Sequence, residues 1–144
     1  MEVSPSVSSL MQPGVVSIES GATISEVARA MTQKSVRNIF ITRAGEPTGL
    51  VRDWDIITKV VAFNLNPDLV TVDEIMYTPP PIVRVDADLS EIAGLMAETG
   101  VRRVAVVEAG KIRGTITAGM LLGVVSSFPK SGLREIFRKI QRET

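Results

Sequence analysis

Two stretches of the chain decide the fold, ATISEVARAM at residues 22–31 and ADLSEIAGLM at residues 87–96, because they are copies of one pattern. Shifting the sequence by 65 residues aligns residues 7–57 with 72–122 without a gap, giving about 12 identities where chance gives about 3. Each stretch has a capping residue, Thr23 or Asp88, followed three positions later by a glutamate, and apolar residues then recur at helical spacing. The chain therefore consists of two copies of one unit that contains an amphipathic helix.

The segments around each helix predict strands. NIFIT at 38–42 and RVAVVE at 103–108 are short and rich in β-branched residues, and a turn containing Ala-Gly follows each of them. An extended segment, 14–20 or 80–86, precedes each helix. A second helix ends each copy, and its predicted apolar face is Ile56, Ile57, Val60 and Val61 in the first copy and Leu121, Leu122, Val124 and Val125 in the second.

These elements predict an α/β fold of two pseudo-symmetric β-α-β-β-α repeats, at 1–65 and 66–128, packed sheet to sheet. The three prolines at 79–81 favour an extended path between the repeats. The tail at 129–144 places four apolar residues at helical spacing among basic ones, which predicts a C-terminal amphipathic helix.

Composition narrows the possible functions. The 144 residues include 16 basic and 16 acidic residues, so the chain has no net charge that would attract nucleic acid or acidic membranes. It has no cysteine and no histidine, which removes thiolate chemistry, the commonest general base and the commonest metal ligands. We therefore expect neither an enzyme nor a metal protein. No membrane span or signal peptide is recognised, so we expect a cytoplasmic protein.

The repeated features together resemble a tandem pair of CBS domains, the cystathionine-β-synthase-type regulatory module also called a Bateman module. The features that recur in register are an opening "LM" or "IM", "VR" before the second strand, the hairpin glycine, and a strand-to-helix turn that carries Asp55 in the first copy. The resemblance implies a ligand sensor that binds AMP, ADP, ATP or S-adenosylmethionine in a cleft between the repeats. It also implies a homodimer formed through the helices and an effector on a separate protein.

The resemblance assigns the ligand groups residue by residue. Asp55 stands at the position that holds the ribose hydroxyls, and a carboxylate accepts two such hydrogen bonds well. Arg52 and Asp53 lie in the same turn, where a phosphate is favoured. The opposite repeat would supply an adenine slot and cations for the phosphate: Thr78, Pro80, Pro81, Ile82, Arg102 and Arg103.

Two departures from the family pattern matter. Arg52 replaces the usual serine or threonine, which adds a cation and favours an anionic nucleotide over uncharged adenosine. In the second repeat Thr117 is present, but Met120 replaces the aspartate, so the second cleft is expected to be weak or empty. Its other wall would be Gly14, Val15, Val16 and Arg37.

Other interpretations stay open. Asp53 is also a typical capping residue, the arginines are also typical of a solvated surface, and the proline run also suits a rigid linker. The alternative to a sensor is a ligand-independent module whose basic tail binds a protein or nucleic acid. Binding of adenine nucleotides by the full chain would favour the sensor.

Overall fold

The computed structural model describes residues 6–125 and Arg138, and it divides the chain into two compact units. The first unit is Val15–Pro80. The second unit combines, among the described residues, 6–14 with 81–125. The predicted C-terminal helix at 129–144 lies outside the described residues except for Arg138. No helix in the described part of the chain is both long and apolar enough to cross a membrane.

The elements follow the predicted order in both copies. In chain order they are α1 (Val7–Leu10), β1 (Gln12–Pro13), β2 (Ser17–Glu19), α2 (Ile24–Lys34), β3 (Asn38–Arg43), β4 (Glu46–Arg52), α3 (Asp53–Ile56) with a π-helical continuation (Ile57–Val61), α4 (Val72–Ile75), β5 (Ile82–Arg84), α5 (Leu89–Thr99), β6 (Arg103–Glu108), β7 (Lys111–Thr117) and α6 (Ala118–Val125). The predicted mixed α/β fold is confirmed. The short helices α1 and α4, which open the two copies, were not predicted.

The two long helices begin where the sequence places them. The Thr23 hydroxyl accepts a hydrogen bond from the Glu26 amide, and the Glu26 carboxylate accepts one from the Thr23 amide, so the predicted capping box closes the start of α2. At α5 the Asp88 carboxylate accepts a hydrogen bond from the Glu91 amide at 2.8 Å. Both caps satisfy amides that have no partner inside the helix.

Each unit contains one sheet. In the first unit β2 pairs parallel with β3, which pairs antiparallel with β4. In the second unit β5 pairs parallel with β6, which pairs antiparallel with β7, and β1 lies antiparallel on the other side of β7. Ala44 and Gly45 at one hairpin, and Ala109 and Gly110 at the other, all have positive φ angles, as a tight turn that matches the strand twist requires.

The opening segment of each sequence repeat lies in the compact unit formed by the other repeat. Strand β1 pairs Gln12 with Thr115, and the corresponding bridge in the first unit pairs Tyr77 with Leu50. A close approach accompanies each pairing, because Met11 packs over Gly114 in one unit and Met76 packs over Gly49 in the other. The compact units and the sequence repeats therefore divide the chain differently.

The helix after Asp55 buries a narrower face than the sequence pattern predicted. Val60 is 1% exposed and Ile56 packs on the core of the first unit, but Ile57 is 49% exposed and Val61 is 63% exposed. The prediction that all four share one buried face was wrong, because only the pair spaced by four residues points inward. In α6, Leu121 is buried and Leu122 is 40% exposed, while the side chain of Val125 is outside the described residues.

The sequence predicts an extended path for the three prolines at 79–81, but the path is not extended throughout. Thr78 and Pro79 lie in a bend and are joined by a cis peptide bond. Strand β5 begins only at Ile82.

Candidate functional site

The turn between β4 and α3 brings the main candidate residues of the first unit together. Strand β4 ends at Arg52, and the Arg52 amide donates a 2.9 Å hydrogen bond to Oδ2 of Asp55. The next amide, that of Asp53, donates to the Arg37 carbonyl at 2.9 Å and so ties the turn to the residue before β3. Asp55 therefore holds the start of the helix in place, whatever else it binds.

The Asp55 carboxylate is buried and surrounded by cations. Its side chain is 2% exposed, and the Arg52 guanidinium donates to both oxygens, from Nε to Oδ2 at 3.0 Å and from Nη2 to Oδ1 at 2.8 Å. Lys59, one turn further along the helix, places its Nζ 3.6 Å from Oδ1 and also donates to the Ile75 carbonyl at 3.1 Å. The guanidinium of Arg52 lies over the ring of Tyr77, with Cζ 4.9 Å from the ring centroid.

These contacts set the charge state of the cluster. Burial by itself raises the pKa of Asp55, but the hydrogen bonds and charge of Arg52, together with the charge of Lys59, lower it below the ordinary value. The hydrogen bond to Asp55 raises the pKa of Arg52, although burial opposes this. At neutral pH Asp55 is therefore an ionised carboxylate that is paired with the protonated guanidinium of Arg52.

The other candidates that belong to the first unit differ in exposure and in contacts. Asp53 is exposed, and its Oδ1 accepts a hydrogen bond from the Trp54 amide at 2.8 Å. Arg37 is a surface residue whose side chain is 88% exposed and 4.0 Å from Asp53. Thr78 is exposed and Pro80 is half-buried. Val15 and Val16 precede β2, in the same unit.

The remaining candidates lie in the second unit. Pro81 is buried and Ile82, which opens β5, is 39% exposed. The side chain of Arg102 is exposed, whereas Arg103 is half-buried and its Nε has no hydrogen-bond partner among the described residues. Gly14 donates from its amide to the Arg113 carbonyl at 3.4 Å.

The strand-to-helix turn of the second unit repeats the hydrogen-bond geometry of the first, but its side chain at the aspartate position is a weaker acceptor. The Thr117 amide faces the sulfur of Met120 at 3.4 Å, where the first unit has a carboxylate, and the Thr117 hydroxyl accepts the Met120 amide at 3.2 Å. The Ala118 amide donates to the Arg102 carbonyl at 2.9 Å, as Asp53 does to Arg37. A thioether is a weak acceptor and carries no charge. This turn therefore lacks the anionic group of its counterpart.

Sequence reasoning missed two residues of the Asp55 cluster. Lys59 was recognisable in principle, because it follows Asp55 by four positions on the same helix and such pairs face each other. Tyr77 is 25 positions away from Arg52 in sequence, and it comes close only because the segment that opens the second repeat lies in the first unit.

Comparison with known proteins identifies the repeats. The CBS domain family model matches residues 7–62 and again 72–127, which is most of the chain. An uncharacterized protein of Methanopyrus kandleri is 30% identical over 142 residues, covering 97% of this chain and 72% of that protein. One from Methanocaldococcus jannaschii is 27% identical, and the match covers only 34% of its length.

Solved structures of similar fold come from several organisms. A CBS domain protein from Pyrobaculum aerophilum complexed with AMP has a TM-score of 0.75 and 26% identity, covering 92% of this chain and 98% of that one. A CBS domain protein of Thermoplasma acidophilum has a TM-score of 0.77 and 21% identity, covering 98% and 79%. Hypoxic Response Protein I, solved with two coordinated zinc ions, has a TM-score of 0.76 and 24% identity, covering 87% and 100%. Among the described residues of this chain, no group of three or more carboxylates is arranged to hold a metal ion.

Proposed function

Since the chain belongs to the CBS domain family, whose paired domains are regulatory modules, we propose that it is a sensor of adenine nucleotides, with AMP as the preferred ligand. ADP and ATP are further candidate ligands, and S-adenosylmethionine is the candidate without a phosphate. The bound or free state would be passed to a separate effector, because a regulator acts through different affinities for its ligand in two states.

One observation carries this proposal: Asp55, at the family's ribose position, is a buried carboxylate that is ionised at neutral pH. An ionised carboxylate offers acceptors to both hydroxyls of a vicinal diol, and hydrogen bonds to a charged acceptor are the strong ones. The AMP complex of the similar Pyrobaculum aerophilum protein supports adenosine as the ligand class. The candidates of the second unit, Pro81, Ile82, Arg102 and Arg103, stay a prediction from the family resemblance.

The proposal is tested by isothermal titration calorimetry of the nucleotide-free chain with AMP, ADP, ATP and S-adenosylmethionine. We expect about one molecule bound per chain, with a phosphorylated ligand strongest. Asp55→Ala should weaken AMP binding by roughly 100-fold, because two hydrogen bonds to a charged group are lost. Asp86→Asn serves as the matched control, since it removes an exposed carboxylate of the second unit.

Two results would contradict the proposal, the first its nucleotide binding and the second only the role it gives to Asp55. One is the absence of heat with every ligand at two temperatures. The other is unchanged AMP affinity in an Asp55→Ala protein that retains its circular dichroism spectrum. The second result would leave a nucleotide-binding chain but remove Asp55 from its site.

We also propose that the chain self-associates as a homodimer through its helices. Trp54, Ile57 and Val61 follow one another at helical spacing and are 62%, 49% and 63% exposed, which is an unusual amount of apolar surface for one short helix. Trp54 is the single tryptophan of the chain, so its fluorescence reports on this face directly. A red shift of its emission on dilution, together with a fall in mass by light scattering, is expected. A monomeric mass at every concentration would contradict the dimer.

A further inference from the structure

Donors of this chain already occupy most of the Asp55 carboxylate. Oδ2 accepts the Arg52 amide and Nε, and Oδ1 accepts Arg52 Nη2 and faces Lys59 Nζ at 3.6 Å. A carboxylate has about four lone-pair positions, so three of them accept hydrogen bonds and the Lys59 ammonium lies beside Oδ1 without bonding to it. The carboxylate is also almost fully removed from solvent. A ligand diol that binds both oxygens of Asp55 must therefore displace a donor of this chain, because Oδ2 already accepts two hydrogen bonds.

The donor that a diol would replace is the Arg52 fork. Its Nε and Nη2 hydrogen bonds place one donor on each carboxylate oxygen, which is the same two-donor pattern that vicinal hydroxyls present. The other partners are less exchangeable, because the Arg52 amide is part of the backbone turn and Lys59 is also held by the Ile75 carbonyl. The guanidinium and the ribose diol therefore compete for the same two oxygens.

Displacement leaves the guanidinium without its anion. The Arg52 side chain is only 26% exposed, so it cannot recover its lost hydrogen bonds fully from water, and the face of the Tyr77 ring over which it lies carries no acceptor oxygen. Besides a carboxylate, a phosphate is the anion that the planar guanidinium group of an arginine binds best. A nucleoside supplies a diol but no phosphate, whereas a nucleotide supplies both.

We propose that Arg52 makes the site selective for phosphorylated nucleosides through an exchange of partners. The ribose diol replaces Arg52 as the partner of Asp55, and the ligand phosphate replaces Asp55 as the partner of Arg52. This inference rests on the proposed nucleotide-binding function and names its ligand class. Adenosine breaks the Arg52–Asp55 pair without supplying a new anion for Arg52. AMP, ADP and ATP supply that anion.

The second unit supplies the variant that tests this exchange. Its corresponding turn has Thr117 in place of Arg52, and the Thr117 hydroxyl accepts a helix amide at 3.2 Å. Arg52→Thr is therefore expected to keep the turn, since threonine is a good capping residue, while it frees Asp55. Arg29→Thr is the matched control, because it removes an exposed arginine from α2 of the same unit.

The experiment measures the affinities of AMP and adenosine for the wild-type chain, Arg52→Thr and Arg29→Thr by calorimetry. The wild type and Arg29→Thr should prefer AMP by roughly 100-fold. Arg52→Thr should bind adenosine about 10-fold more tightly than the wild type does, and AMP less tightly, because the charged fork that blocked Asp55 and held the phosphate is gone. If Arg52→Thr binds AMP less than about fivefold more tightly than adenosine, the result supports the exchange.

The result separates the two proposals. If the wild type binds AMP but Arg52→Thr gains no affinity for adenosine, the exchange is wrong and the nucleotide site stands. If neither chain binds either ligand, both are wrong. A second measurement needs no variant: the Arg52 Nε–H resonance in the wild type should shift with AMP, and a resonance that stays unchanged at AMP saturation overturns the exchange.

Discussion

Adding one methyl group at two corresponding glycines should give unequal losses of stability. Gly114 and Gly49 are related by the repeat, but the atoms that a new Cβ would meet differ. At Gly114 the Cβ would lie 2.6 Å from the backbone oxygen of Gln12 and 2.8 Å from the sulfur of Met11. At Gly49 the three nearest atoms all belong to the side chain of Met76, including Cγ at 2.7 Å and Cβ at 3.1 Å. A backbone oxygen cannot move without its strand, whereas a methionine has three rotatable bonds.

The expected free energies follow from this difference. In Gly114→Ala the strand β1 must move away from β7, which costs about 2 kcal/mol of strain and weakens a backbone hydrogen bond worth about 1 kcal/mol. Alanine also reduces the conformational entropy of the unfolded chain, which stabilises the folded state by about 0.7 kcal/mol. The net destabilisation is therefore about 2 kcal/mol. In Gly49→Ala the Met76 side chain adjusts at a cost of about 1 kcal/mol, and the same gain leaves stability within about 0.5 kcal/mol of the wild type.

Urea unfolding followed by circular dichroism measures both values. Two double variants decide which contacts cause the losses of stability. Adding Met76→Ala to Gly49→Ala should remove any residual loss. Adding Met11→Ala to Gly114→Ala should not restore stability, since the Gln12 carbonyl remains. Equal losses at the two glycines, or rescue at Gly114, would refute the assignment of these contacts.

Three further predictions concern single side chains. Asp73 accepts the Ser20 hydroxyl at 2.6 Å, and this hydrogen bond lowers its pKa, so its contribution to stability should be complete above the ordinary carboxyl pKa and be lost as pH falls through the lowered one, below about pH 4. Urea unfolding of Asp73→Asn at pH 3 to 7 should show a smaller pH dependence than the wild type, and an identical profile would contradict the pairing. Met120→Asp should stabilise the chain by about 1 kcal/mol by giving the Thr117 amide a carboxylate acceptor, and it should raise the nucleotide stoichiometry; a loss of stability would argue against the repeated turn geometry. Thr23→Ala should cost about 1 kcal/mol through the loss of the capping box, measured as a lower urea midpoint with an unchanged slope.

The elements that the sequence predicted well are those specified by neighbouring residues. The Thr23 and Glu26 capping box and the hairpin at Ala44 and Gly45 depend on contacts a few positions apart, so their residue types are sufficient to recognise them. The position of Asp55 at a strand-to-helix turn was predictable for the same reason.

The sequence did not predict features that depend on distant contacts or on backbone detail. The exposure of Ile57 and Val61 could not be foreseen, because a run of two apolar pairs fits a wide helix face as well as a narrow one. The exchange of opening segments is hidden by the repeat itself. Each copy carries the same methionine and the same glycine. The sequence therefore looks the same whether an opening segment packs on its own copy or on the other copy.

That exchange of opening segments has a consequence for how such a chain can arise. A single copy would carry a strand edge complementary to the opening segment of a second copy, as Gly49 is to Met76. Two separate molecules could satisfy each other by trading these segments, in the manner of domain swapping. Joining their genes would then preserve every contact while making the partner permanent. In a joined chain each copy can change alone, as the difference between Asp55 and Met120 illustrates.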